Sequence, residues 1–133
     1  MPPAFLRPAV AAVLAICLLD AASAVTPPDI ARGFESQAGA PGHVERGRTL
    51  FTRTQGGQWS CSSCHGVAPT GTGQHASTGK SIAPLAPAFN SERFTDPAKV
   101  EKWFRRNCKD VLSRECSASE KADVMAFLMS LKP

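Results

Sequence analysis

Beyond residue 24, the 133-residue sequence contains no apolar run of the roughly 20 residues that a membrane-spanning helix needs. Aromatic residues make up only 7% of the chain, they are not interleaved with basic runs, and the formal charge is a modest +4. A binder of single-stranded nucleic acid combines stacking aromatic residues with a basic groove. The sequence therefore argues against nucleic-acid binding and against membrane insertion after residue 24. Strand-like alternation is also missing, which favours an all-α fold.

The first 24 residues are typical of a secretory signal peptide. Arg7 precedes an almost unbroken apolar run over residues 9–19, and Ala22-Ser23-Ala24 supplies the small residues that a signal peptidase requires. We expect cleavage near Ala24 and a periplasmic protein. Residues 25–41, rich in Pro, Gly and Ala, are predicted to be a loosely held N-terminal arm, and residues 42–133 to be one domain.

The sequence has five cysteines, of which signal cleavage would remove Cys17. Cys61 and Cys64 belong to a Cys-x-x-Cys-His motif that His65 completes. Two thiols at this spacing can form thioethers with the two vinyl groups of a haem, and the following histidine becomes the proximal iron ligand. One further pair, Cys108 and Cys116, is then left to form a disulfide in an oxidising compartment.

A Cys-x-x-Cys pair can also be a redox dithiol or half of a zinc site. A redox motif lies between a strand and a helix, and no strand is predicted before Trp59. A zinc site needs a second Cys-x-x-Cys or a histidine pair nearby, and the sequence has neither near the motif. We therefore predict one covalently attached haem c.

Three main helices are predicted in the domain. Apolar residues at helical spacing indicate the first over residues 44–53. Thr95-Asp96-Pro97 is a typical start for the second, which is expected to end near Asn107. A capping box at residues 117–120 starts the last.

Between the first two helices, residues 66–90 are rich in Pro, Gly, Ser and Thr and show neither helix nor strand periodicity. Such a long loop is uncommon in a compact domain, unless it packs on a large prosthetic group. Its predicted haem contacts are Ile82, Leu85 and Phe89, with Lys80 near a propionate.

This pattern resembles the class I cytochrome c fold from about Gly42 to Lys132. In that family, a small residue on the first helix lets an aromatic residue of the last helix cross closely, and Gly47 and Phe127 stand at these positions. Class I cytochromes ordinarily use a methionine as the sixth iron ligand. This sequence has no methionine between His65 and residue 125.

Other candidate ligands fit poorly. Met125 and Met129 lie four residues apart on the last helix, a spacing typical of core residues. His75 closely follows His65 in a Gly/Thr-rich loop, from which the opposite haem face is difficult to reach. His43 precedes the first helix and is expected to be solvated.

The run Trp103-Phe104-Arg105-Arg106-Asn107-Cys108, with Arg114-Glu115-Cys116 and the stretch over residues 82–87, resembles the SHP-type (sphaeroides haem protein) cytochromes c. The resemblance implies that the amide oxygen of Asn107 is the distal iron ligand, with a Cys108–Cys116 disulfide beside it. Trp103 would contact the haem or the core. As a residue tolerant of the left-handed conformation, Asn107 is also expected to cap its helix.

The resemblance implies a function as well. Ferrous iron holds a hard amide oxygen weakly, so reduction would open a position for O₂ or NO, and the electron donor would be a dihaem cytochrome c. Two rival functions are a low-spin electron carrier and a small haem oxygen reductase or peroxidase. A ligand-binding or electron-transfer role is favoured over an enzyme, because Asn107 is a poor general base. The basic residues around the second helix form a solvated face or a docking site for an acidic redox partner: Arg93, Lys99, Lys102, Arg105, Arg106 and Lys109.

Overall fold

The computed structural model describes Met1 and residues 24–133. Apart from its two end residues, the predicted signal peptide lies outside the described residues. The elements in order are α1 (Pro27–Ala38), α2 (Val44–Thr52), α3 (Ser62–His65), β1 (Gly73–Gln74), β2 (Ser81–Ile82), α4 (Pro97–Leu112) and α5 (Ala118–Ser130). In this part of the chain, no helix is long and apolar enough to cross a membrane.

The segment predicted to be a loosely held arm is in fact the packed helix α1. Thr26 and Asp29 form a capping box at its start, and Gly39 ends it in the left-handed conformation. Ile30 and Phe34 are buried in one cluster with Met125 of α5. The prediction of an arm was wrong because the prolines and Gly39 stand at or beyond the helix ends, where they favour a helix boundary, and only Gly33 lies inside the helix.

Helices α2 and α5 cross closely at Gly47. A Cβ atom on Gly47 would lie 1.9 Å from the carbonyl oxygen of Asp123 and 3.0 Å from the Cβ of Phe127. Phe127 packs on Phe51 of α2, with ring centroids 5.4 Å apart. The predicted pairing of Gly47 with Phe127 is therefore confirmed, and the capping box at the start of α5 is present as well.

The start of α4 was predicted correctly, because Asp96 accepts a hydrogen bond from the Lys99 N–H and a proline follows. Its predicted end at Asn107 was wrong, since the helix continues to Leu112. Cys108 and Leu112 are both buried and extend the i, i+4 row set by Val100. The prediction treated Cys108 only as a disulfide partner and therefore left this buried residue out of the apolar row.

The long loop contains a minimal sheet that the sequence did not predict. Strands β1 and β2 pair antiparallel, with Gly73 opposite Ile82 and Gln74 opposite Ser81. The all-α class is confirmed, although α1 and the one-turn helix α3 add to the three main helices that were expected.

The carboxylate of Asp123 is buried at the same crossing. It accepts hydrogen bonds from the His43 N–H (2.6 Å) and from the guanidinium of Arg46 (2.7 and 2.8 Å). Burial alone would raise the pKa of Asp123, but the bonds from Arg46 and His43 outweigh it and lower the pKa below its ordinary value. The His43 side chain is exposed, as predicted.

We expect Gly47→Ala to lower the free energy of unfolding by about 1–3 kcal/mol, because its methyl group must push α2 away from α5. Gly33→Ala is the matched control, since a Cβ atom there meets nothing within 4 Å. As an interior helix position, Gly33 should gain about 0.5–1 kcal/mol on substitution. Urea unfolding of both holoproteins measures the difference, and equal effects at the two sites would contradict the close crossing.

Asp123→Asn should destabilise the protein at neutral pH by roughly 1–2 kcal/mol, because the bonds to His43 and Arg46 lose their charge. Since folding depresses the pKa of Asp123, its contribution is present above the unfolded value of about 3.9 and is lost as pH falls through the folded value. The gap between wild type and variant should therefore narrow in acid. Urea unfolding across the acid range tests this, with the exposed Glu92→Gln as control; a gap independent of pH would contradict it.

Candidate haem site

The Cys-x-x-Cys-His motif forms a single helical turn. Cys61 is the N-cap of α3, and the His65 N–H donates to the Cys61 carbonyl oxygen at 3.1 Å. The serines between the cysteines stabilise this turn, because Ser63 Oγ accepts a hydrogen bond from the buried Ser60 N–H (3.0 Å). Both thiols of the motif are free and half-buried, so the turn presents two thiols and one imidazole together.

Burial sets the protonation of the site. It raises the pKa of the Cys61 thiol to about 11. Burial, with a smaller effect from the positive charge of Arg93, lowers the pKa of His65 to about 4. The His65 imidazole is therefore neutral at pH 7 and has a nitrogen lone pair available for a metal. Two free thiols and a neutral imidazole are the chemical groups that attachment of a c-type haem requires.

His75 lies beside the motif. The adjacent Ala76 N–H donates to the Cys64 sulfur at 3.3 Å, and His75 Nδ1 accepts hydrogen bonds from the N–H groups of Ser77 and Thr78, each at 3.3 Å. A local turn thus holds His75 close to Cys64. The exclusion of His75 as the distal ligand stays a prediction.

The loop after the motif is fixed by hydrogen bonds between distant parts of the chain. The N–H groups of Leu85 and Ala86 donate to the Pro69 carbonyl oxygen at 3.1 and 3.0 Å. Arg93 donates from Nε to the Pro84 carbonyl (2.9 Å) and from a terminal nitrogen to the Ala83 carbonyl (2.8 Å). Grouping Arg93 with the solvated basic face was wrong, because its side chain is half-buried and engaged with backbone.

The predicted haem contacts fall into two groups. Leu85 packs on the core cluster of Phe51, Val124, Phe127 and Leu128, and so do Cys61 and Phe104, so the loop, the motif and α4 converge there. Ile82 is half-buried in β2, whereas Phe89 and Trp103 are 36% and 45% exposed and Lys80 is exposed. Haem contacts of these four residues stay predictions.

Asn107 lies inside α4, one turn after Phe104, and its side chain is exposed. It is not the helix cap, because Ser113 takes that position with φ 58°. The neighbouring Cys108 is buried, and its sulfur is bonded to Cys116, with the two Cα atoms 5.6 Å apart. The backbone on the C-terminal side of Asn107 is therefore firmly held.

The end of α4 also contacts the segment that leads into the motif. Ser113 Oγ donates to the Gly56 carbonyl oxygen at 3.0 Å. A Cβ atom on Gly57 would lie 2.6 Å from the Asp110 carbonyl oxygen, so the close fit requires glycine. The contact of Gly56 and Gly57 with α4 depends on the tertiary arrangement and leaves no local pattern in the sequence.

Both C-terminal methionines are core residues. Met125 is fully buried with Ile30 and Phe34 of α1, and Met129 packs against the same cluster. This agrees with the interpretation of both as core rather than ligand residues. Over the described residues, no group of three His, Cys, Asp or Glu side chains could hold a metal ion.

The chain matches a family model and known c-type cytochromes. Residues 37–128 match a family model described as a domain of unknown function, DUF1924. The chain is 50% identical over 107 residues to cytochrome c-type protein SHP of Cereibacter sphaeroides, a match covering 77% of this chain and 82% of that protein.

Two solved structures are similar in fold. The structure of oxidised SHP, described as an oxygen-binding cytochrome c, matches with a TM-score of 0.76 and 49% sequence identity. The match covers 82% of this chain and 100% of the SHP chain. The solution structure of cytochrome c″ of Methylophilus methylotrophus, which concerns haem-ligand detachment, has a TM-score of 0.71 and 34% identity and covers 80% and 94% of the two chains.

Fold and site together define a monohaem c-type cytochrome with a helical cytochrome c fold and covalently attached haem. The chain belongs to the DUF1924 family and to the SHP-type cytochromes c. The predicted SHP-type resemblance and the predicted haem c are therefore confirmed.

Proposed function

We propose that this chain is a periplasmic cytochrome that binds a small diatomic ligand such as O₂ or NO when its haem is reduced, with Asn107 as a displaceable distal ligand. The observation that carries the proposal is the place of Asn107. It is an exposed amide in the middle of α4, one turn from Phe104, whose ring packs on the same core cluster as Cys61.

Three residues of the motif would hold the haem. Cys61 and Cys64 would supply the two thioether sulfurs, and the neutral imidazole of His65 would be the proximal ligand. When bound, the haem supplies one-electron chemistry and a site for a sixth ligand. The protein's part is to fix the proximal side firmly, through the α3 turn, and to make the distal side labile.

Asn107 suits a labile position for two reasons. Its amide oxygen is a neutral, hard donor, which ferric iron tolerates and ferrous iron holds poorly. Its side chain is exposed, so rotation away from the iron leaves the amide hydrogen-bonded to water. The helix and the Cys108–Cys116 bond hold the backbone still, and therefore displacement requires a rotamer change instead of a movement of the helix end.

The relatives favour this function over its two rivals. SHP is described as oxygen-binding, and cytochrome c″ as undergoing haem-ligand detachment. A plain electron carrier would need a sixth ligand that is firm in both oxidation states, yet Met125 and Met129 lie in the core. A peroxidase would need a distal acid–base group, a role for which an amide is a poor choice.

Spectroscopy of the holoprotein and two Asn107 variants tests the proposal. The reduced wild type should bind CO, and Asn107→Ala should alter the ferric spectrum by removing the sixth ligand. Asn107→Met supplies a sulfur that holds ferrous iron, and CO affinity should fall at least tenfold, about 1.4 kcal/mol. Absorption spectra in both oxidation states and CO titrations measure these effects.

Asn90→Ala is the control, because this asparagine binds a loop carbonyl (Pro84, 3.1 Å) and should leave the ferric ligand spectrum unchanged. A ferric spectrum that is unaltered in Asn107→Ala would rule out Asn107 as the ligand. A reduced wild type that does not bind CO would rule out the open site.

The electron donor is proposed to be a dihaem cytochrome c or another redox protein with an acidic docking face. Lys102, Arg105 and Arg106 are exposed on α4, close in sequence to Asn107. The Arg106 guanidinium also lies 5.6 Å from the centre of the Trp103 ring, so a cationic and partly aromatic surface borders the distal residue. Such a surface attracts an acidic partner at long range.

Lys102→Gln combined with Arg105→Gln should slow reduction by a dihaem cytochrome c several-fold at low ionic strength and weaken the salt dependence of the rate. Stopped-flow reduction at several salt concentrations measures both quantities. Lys132→Gln removes an exposed charge beyond α5 and should have a smaller effect. A rate that does not depend on salt, or an equal loss in the control, would contradict docking at α4.

A further inference from the structure

Arg93 differs from the exposed basic residues of α4 because its charge is held in one place. Its guanidinium bonds the carbonyl oxygens of Ala83 and Pro84 at 2.8 and 2.9 Å, and the Pro84 oxygen also accepts from Asn90 (3.1 Å). A planar guanidinium bonded at two points has little freedom to rotate. The backbone of the loop therefore fixes the position of this positive charge.

The loop segment that Arg93 holds is hydrogen-bonded to the chain just after the haem motif. The N–H groups of Leu85 and Ala86 donate to the Pro69 carbonyl, only four residues after His65, and Pro69 and Ala86 are fully buried. Leu85 packs on the cluster that Cys61 also contacts. The charge of Arg93 is thus anchored to a loop segment that is hydrogen-bonded to Pro69 and shares a hydrophobic cluster with Cys61 of the motif.

We propose that Arg93 is a positioning residue that raises the reduction potential of the haem iron by holding a fixed positive charge near its proximal side. Reduction lowers the charge of the iron by one, so a nearby cation favours the ferrous form. Water and salt screen a charge weakly in a half-buried layer. This inference rests on the proposed role of His65 as the proximal ligand.

Two variants separate the charge from its placement. Arg93→Gln removes the charge and should lower the reduction potential, whereas Arg93→Lys keeps the charge but cannot bond both carbonyls and should lower the potential less. In both variants, the amides of Leu85 and Ala86 should exchange with solvent faster. Spectroelectrochemical titration of the holoproteins, with hydrogen exchange, provides the two readouts.

Arg105→Gln is the matched control, because it removes the same charge from an exposed position on α4. Its effect on the potential should be at most half that of Arg93→Gln and should shrink in high salt, whereas the Arg93 effect should persist. Equal shifts in the two variants, or an Arg93 shift that high salt abolishes, would overturn the inference. If Arg93→Gln does not take up haem, an unchanged potential in Arg93→Lys with unchanged amide exchange overturns it.

Failure of the proposed function has a different signature. A wrong assignment of the distal ligand appears as an unaltered ferric spectrum in Asn107→Ala, and replacement of His65 would leave the proximal ligation unchanged if that residue were not the ligand. The Arg93 experiment measures a potential in variants whose ligand spectra should match the wild type. The two hypotheses can therefore fail independently.

Discussion

The close crossing of α2 and α5 at Gly47 is the contact on which the rest of the structure depends. A side chain there would meet the Asp123 carbonyl at 1.9 Å, so the absence of a Cβ atom sets the distance between the two helices. That distance brings Phe51 and Phe127 together in the cluster on which Cys61, Leu85 and Phe104 pack. The motif, the loop and α4 are thus all placed with reference to one crossing.

Asp123 fixes how α2 and α5 are rotated against each other at this contact. A glycine allows two helices to approach but does not determine how they are rotated against each other. The Asp123 carboxylate, on α5, bonds the N–H of His43 at the start of α2 and the guanidinium of Arg46 within α2. Bonds to two separate points on α2 fix its rotation, because a turn of α2 about its axis would break at least one of them.

Sequence features with a local cause were predictable, and features with a tertiary cause were not. The haem motif, the starts of α4 and α5 and the Gly47–Phe127 pair follow from spacing, capping or family pattern, and all of these helix features are present. Helix α1 was missed because its apolar face, centred on Phe34, is small and is completed by α5. Arg93 was missed because its partners are backbone carbonyls, which carry no sequence signal.

The full length of α4 changes how the distal side is understood. If Asn107 ended the helix, displacement of its amide could involve fraying of the last turn, and the protein would pay with lost backbone hydrogen bonds. Since the helix continues to Leu112 and Cys108 is bonded to Cys116, the backbone around Asn107 is held in place. The loop bonds to Pro69 hold the segment that follows the haem motif in the same way. Under the proposed function, a change of ligand would therefore reorganise one exposed side chain and leave the backbone on both sides of the haem unchanged.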